Sequence, residues 1–147
     1  MNKKLLTLVV VSALSACSQA DSGAQASKPA AQETVQKAVD MKVTHVDAAK
    51  ALETMKARPE LVVIDVRTPA EYASGHIDGA INIDYKNPNF ATEITKLDAS
   101  QDYLIHCRSG GRSTASLKHF KNGGFSHIIH MDGGMLGWDK AGQPTVQ

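Results

Sequence analysis

The run Leu61-Val62-Val63-Ile64-Asp65-Val66 constrains the fold more than any other stretch of this chain. Nearly every side chain in it is apolar and most are β-branched, the pattern of a strand covered on both faces rather than one. Such a strand needs parallel neighbours, and parallel neighbours need crossover helices. The flanking sequence offers both. Lys42 to Val46 leans towards β structure, and Asp47 caps a helix with Ala48, Ala51, Leu52 and Met55 at helical spacing. Thr68-Pro69-Ala70-Glu71 reads as a capping box with proline at the first helical position, closed by Gly75. Ala80 to Ile83 and Tyr103 to His106 are further strands, and Ser113 to Lys121 is a helix stopped by Gly123-Gly124. Phe125 to Met131 is the last strand, followed by the turn Asp132-Gly133-Gly134 and a short segment bearing Trp138. Strands alternating with helices predict an α/β fold, a central, mostly parallel sheet with helices on both faces. Ligands of such sheets sit at the carboxyl ends of the strands.

With 147 residues the chain holds one ordinary domain, not a multidomain enzyme. Its 16 Lys+Arg balance 15 Asp+Glu, which leaves no basic face for nucleic acid. The two cysteines, Cys17 and Cys107, form no Cys-x-x-Cys pair and no thiolate-rich metal site, so each requires its own explanation.

Residues 1–16 have the form of an export signal: Lys3 and Lys4, an apolar run from Leu5 to Leu14, then Ser15 and Ala16. The apolar run is too short to span a bilayer. Leu14-Ser15-Ala16-Cys17 resembles the lipobox of bacterial lipoproteins, which implies that Cys17 is lipidated and becomes the first residue of the mature chain. Acyl chains there hold a protein at a membrane surface. Residues 17–40 are then the lipidated cysteine and a flexible tether, for residues 18–34 contain 11 Ser, Ala or Gln and no large apolar side chain. The residue after the cysteine is Ser18 rather than Asp, which by the same resemblance favours the outer over the inner membrane, on the periplasmic side. The folded domain is expected over residues 41–147.

Cys107 follows a strand and precedes a helix, where backbone N–H groups and the positive end of the helix dipole converge. In Cys107-Arg108-Ser109-Gly110-Gly111-Arg112-Ser113, the glycines let the amides turn inward as an anion-binding nest, and the two arginines add positive charge. A cysteine so placed is expected to have a lowered pKa and to be nucleophilic. A tyrosine-phosphatase loop has arginine at the sixth position after its cysteine; here that position is Ser113, and the arginine comes one residue earlier. The shorter loop makes a smaller cradle, suited to a cysteine carrying one extra sulfur.

The loop resembles the active-site loop of rhodanese-type sulfurtransferases. Asp65-Val66-Arg67, Glu71-Tyr72 and Gly75-His76-Ile77-Asp78-Gly79-Ala80 resemble the first signature of that family. Gly133-Gly134, Trp138 and Gly142-Gln143-Pro144 resemble the terminal one, and the spacing Met135-Leu136-Gly137 before Trp138 is looser than usual. The resemblance spans about residues 42–146 and implies a single rhodanese-like domain. It further implies that Cys107 takes the outer sulfur of a donor such as thiosulfate, becomes a persulfide, and passes the sulfur to cyanide, a thiol or a protein acceptor. The amides of Arg108, Ser109, Gly110, Gly111, Arg112 and Ser113 would stabilise the persulfide anion, and both arginines would receive the donor's sulfonate end. No metal or organic cofactor is implied. The competing readings are a sulfur-binding or redox-sensing module without turnover and a cysteine-dependent phosphatase.

Other residues invite a role and are expected to be structural. His106 adjoins Cys107, yet neighbours on a strand face opposite ways. His127 and His130 are separated by an odd offset, which puts them on opposite faces and removes a shared metal. Asp65 and Arg67 are read as structural, with Arg67 paired to Glu71 or another carboxylate, and His76 and Trp138 as turn and core residues.

Overall fold

The computed structural model describes residues 40–147. The expected signal, Cys17 and all but the last residue of the expected tether lie outside the described residues. In chain order the elements are β1 (Lys42–Val46), α1 (Ala48–Ala57), β2 (Val62–Asp65), α2 (Pro69–Ala73), β3 (Ile81–Asn82) and α3 (Phe90–Ile94), then β4 (Tyr103–His106), α4 (Gly111–Asn122), β5 (His127–Met131) and α5 (Gly134–Lys140). The strands form one sheet in the order β1-β5-β4-β2-β3, and every pair is parallel. This is the expected α/β architecture. An isolated antiparallel bridge between His76 and Val146 ties the chain end back to the segment after α2.

Strand alternation divides the core in two. On one face Val63, Leu104, Ile129 and Met131 pack against Ala48 and Ala51 of α1 and Met135 and Trp138 of α5. On the other, Ile64, Ile105 and Ile128 pack against Phe90 and Ile94 of α3 and Phe120 of α4. β4 and β5 lie inside the sheet and carry almost wholly buried side chains, as a doubly covered strand must. Cys107 follows the central strand β4 and belongs to the second cluster.

Several boundaries differ from the sequence reading, for local reasons. The helix after Cys107 starts at Gly111, two residues before Ser113, because Gly110 takes a left-handed conformation (φ 98°) and its carbonyl accepts the Thr114 N–H at 2.9 Å. β3 shrinks to Ile81–Asn82 at the sheet edge, where it pairs only with β2. β5 begins at His127 because Phe125 turns into the core against Phe120. α3 was not expected at all: its cap residue Asn89 makes no side-chain capping bond, and five residues hold too little periodicity to read. The capping box at Thr68 is present as expected, with Pro69 at its start.

Candidate active site

β4 ends at the carboxyl edge of the sheet, and the chain turns there through Cys107–Gly110 into α4. Gly110 donates its N–H to the Cys107 Sγ at 3.1 Å, and the Ser113 hydroxyl lies 3.6 Å from the same sulfur. Helix α4 has no side-chain cap, so its first amides are left for the sulfur. Burial pushes the Cys107 thiol up, but the amide and hydroxyl of Ser113 and the amides of Ser109 and Gly110 outweigh it and hold the thiol below its ordinary value. Cys107 is 1% exposed, so its sulfur is solvated by protein dipoles rather than water. Gly111 opens α4 as its first residue and makes no bond to the sulfur.

The two arginines separate. Arg112 is clamped by Glu71 in a bidentate pair, 2.7 Å and 2.6 Å between guanidinium and carboxylate. That guanidinium, then burial acting the other way, then Thr68 together hold the Glu71 carboxyl far below its usual range. Arg108 is exposed and takes part in none of the ion pairs found among the described residues. Arg112 fixes the loop to α2 through Glu71, which raises its guanidinium, and it also faces the Cys107 sulfur, which raises it further.

Glu71 therefore does not pair with Arg67. The carboxylate partner of Arg67 is Asp65, at 2.6 Å and almost wholly buried, and Asp65 also accepts the Arg67 backbone N–H at 2.9 Å. His106 is fully buried on the Leu104 side of β4; burial pushes its imidazole down, and its Nε2 has no hydrogen-bond partner. His127 bonds Thr44 and Asp102, away from His130. His76 stacks on Tyr72 with ring centroids 3.8 Å apart, and Trp138 donates to the Pro144 carbonyl at 2.9 Å; both are structural.

The turn after β5 forms the back of the site. Met135 N–H donates to the Cys107 carbonyl and Leu136 N–H to the Arg108 carbonyl, both at 2.9 Å. Gly134 (φ 52°) makes this contact feasible, since a Cβ there would collide with the carbonyls of Cys107 and Arg108. Met135 and Leu136 belong to the segment whose spacing is loose, and sequence reasoning gave them only a local packing role. The Gly-Gly pair was the one signal that a backbone approach occurs here.

Residues 48–141 match the Rhodanese-like domain family. The chain belongs to that family. Thiosulfate sulfurtransferase 16 of Arabidopsis thaliana is 36% identical to this rhodanese-like chain over 92 residues, 56% of this chain and 77% of that one. An uncharacterised protein of Synechocystis is 31% identical over 100 residues, 68% of this chain; the match spans only 55% of that protein's length. Among solved structures, a rhodanese-related protein of Thermoplasma volcanium superposes with a TM-score of 0.61 at 30% identity, covering 70% of this chain and 97% of that one.

Proposed function

We propose that this rhodanese-like protein is a sulfurtransferase that moves a sulfane sulfur from thiosulfate, or a similar small anion, to a thiophilic acceptor through a persulfide on Cys107. The observation that carries the reading is the cradle itself: a buried sulfur that accepts the Gly110 N–H at 3.1 Å, with the Ser113 hydroxyl beside it and the thiol held low. The relative named a thiosulfate sulfurtransferase supports the same donor.

The Cys107 thiolate attacks the outer sulfur of thiosulfate; the S–S bond of the donor breaks, and sulfite leaves with the bonding pair. The resulting persulfide anion is solvated by the amides that held the thiolate, which is why one small cradle serves both states. Cyanide or a thiolate then attacks the terminal sulfur, and Cys107 leaves as thiolate. With thiosulfate and cyanide neither step takes up or releases a proton. Arg108 receives the sulfonate end of the donor, and Arg112, already neutralised by Glu71, keeps the loop in register with α2. The Leu14-Ser15-Ala16-Cys17 motif supports attachment by acyl chains on Cys17 to the bacterial envelope, periplasmic side, in the outer membrane.

The test is one set of assays on the full chain. Thiosulfate and cyanide should yield thiocyanate, a phenyl phosphate ester should stay intact, and thiosulfate alone should add about 32 Da, one sulfur, to the intact mass. An adduct without turnover would favour the sensing module, and phosphate release dependent on Cys107 would favour the phosphatase. Cys17→Ser should shift the protein out of the membrane fraction; unchanged fractionation would overturn the anchor.

A further inference from the structure

Two neighbouring strands bring together three donor atoms that lie far apart in the sequence. β1 and β5 pair in parallel with His45 opposite His130, and Asp132 follows on the next turn, its backbone N–H donating to the Val46 carbonyl at 2.8 Å. The odd offset that separates His130 from His127 thus leaves it beside His45. His130 Nδ1 lies 2.8 Å, and His45 Nδ1 2.9 Å, from the same oxygen, Oδ1 of Asp132. The three atoms all fall within 4.8 Å of one another.

Two imidazole nitrogens and a carboxylate oxygen are the donor set of a divalent transition metal, and three protein ligands with one position left open suit zinc. Bonds of about 2.0–2.2 Å at tetrahedral angles put neighbouring ligand atoms about 3.3–3.5 Å apart. The two N···O separations are therefore short by about half an ångström. Asp132 can supply that movement: its side chain is 54% exposed, and Oδ2 accepts no hydrogen bond among the described residues. It also borders an open cleft of about 310 Å³, shared with Asp47 and Lys140, which leaves room for water on the open side of a metal.

The surroundings of His130 point the same way. The Asp132 carboxylate only accepts, so without a metal both Nδ1 atoms carry hydrogen. A metal takes the place of those hydrogens, and each neutral ring moves its own to Nε2. In His45, 54% exposed, that nitrogen meets water. His130 is 2% exposed, and among apolar neighbours its Nε2–H would be an unpaired buried donor. Here Nε2 lies 2.9 Å from Ser113 Oγ and 3.2 Å from Thr114 Oγ1. A hydroxyl accepts as readily as it donates, so His130 holds either tautomer with its buried nitrogen paired, as a metal-binding imidazole must. Of the nearby charges, Asp132 is itself a ligand, and Arg112, on α4 beyond Ser113, is paired with Glu71.

We propose that His45 Nδ1, His130 Nδ1 and Asp132 Oδ1 form a site for a divalent transition-metal ion of the zinc class. The ion clips the edge strand β1 to the turn whose Gly134 backs the Cys107 loop. Neither a charged His130 nor sulfur transfer enters into it.

The test is calorimetric titration of zinc chloride into the full chain carrying Cys17→Ser and Cys107→Ser, so that no thiol competes for the metal. A one-to-one isotherm with a Kd in the micromolar range or tighter is expected, and the nitrogen NMR signals of the two Nδ1 atoms should move as the site fills. Saturating zinc should raise the melting temperature by about 4 °C or more. His45→Ala and Asp132→Asn alter exposed side chains and leave the core intact; each should weaken zinc binding at least about tenfold and cancel the thermal gain. His127→Ala, which removes the separate His127–Asp102 pair, should bind zinc as the parent does. No uptake, uptake by His45→Ala equal to the parent's, or loss of uptake in folded His127→Ala overturns the site. Thiocyanate formation by the chain that keeps Cys107, assayed without added metal, decides the sulfurtransferase reading separately.

Discussion

Two strand-to-helix junctions lie side by side on the carboxyl edge of the sheet, joined by the Val66 N–H donating to the His106 carbonyl, and they use their backbone donors in opposite ways. After β2, Asp65 accepts the Arg67 N–H and guanidinium, and Thr68 and Glu71 cap α2 reciprocally. Its donors are satisfied by its own side chains, and the junction is inert. After β4 no side chain caps α4; a left-handed glycine turns the amides onto a sulfur instead. One junction is closed by carboxylates and a hydroxyl, the other by a thiol. A helix start left uncapped, with a thiol where the cap would be, is what holds that thiol below its ordinary value. The pair Glu71–Arg112 bolts the inert junction to the reactive one.

The largest expected effect comes from filling the reactive junction with the wrong atom. Cys107→Ser should lower thiocyanate formation to less than roughly a thousandth while the domain stays folded, since the hydroxyl is a poor nucleophile of nearly the same size. Turnover that survives would erase the contrast between the junctions. Next is Gly134→Ala. It forces a Cβ into the carbonyls of Cys107 and Arg108, so denaturant unfolding should show a loss of about 1–3 kcal/mol or more, with the thiol pKa rising as the loop moves.

How far the sequence carries is visible in these same residues. The capping box and the Cys107 loop are local, within a few positions of each other, and spacing alone exposes them. Glu71 meeting Arg112, His45 meeting Asp132, and Met135 meeting Cys107 depend on which strands become neighbours, and no pattern along the chain encodes that order. Arg67 pairs with Asp65, one of the carboxylates that the sequence left open to it beside Glu71, because the strand end brings Asp65 within reach while Glu71 is taken by Arg112.

Smaller effects should separate the arginines. Arg108→Ala should cut kcat/KM for thiosulfate roughly tenfold to a hundredfold and leave thermal stability intact, since it removes a contact to the donor anion alone. Arg112→Ala should lower stability as well, and the pH profile identifies the cause. Glu71 is depressed in the folded state, so the pair's contribution is full above the unfolded carboxylate value of about 4.3 and fades as pH falls. Arg112→Ala should flatten that acid limb in melting curves taken at falling pH; an unchanged limb would mean the bolt carries nothing. The smallest effect is expected at Thr68→Ala, which uncaps α2 at a cost of about 1 kcal/mol, measured by the unfolding midpoint. If the inert junction is only scaffold, turnover should follow that loss of stability and nothing more.

The clasp of Met135 and Leu136 onto Cys107 and Arg108 also sets a timetable for the chain during synthesis. Cys107 is made well before the residues that close the back of its loop, and Gly134 emerges later still than α4. A nascent chain that ends before Gly134 therefore lacks the two N–H donors that hold the Cys107 and Arg108 carbonyls.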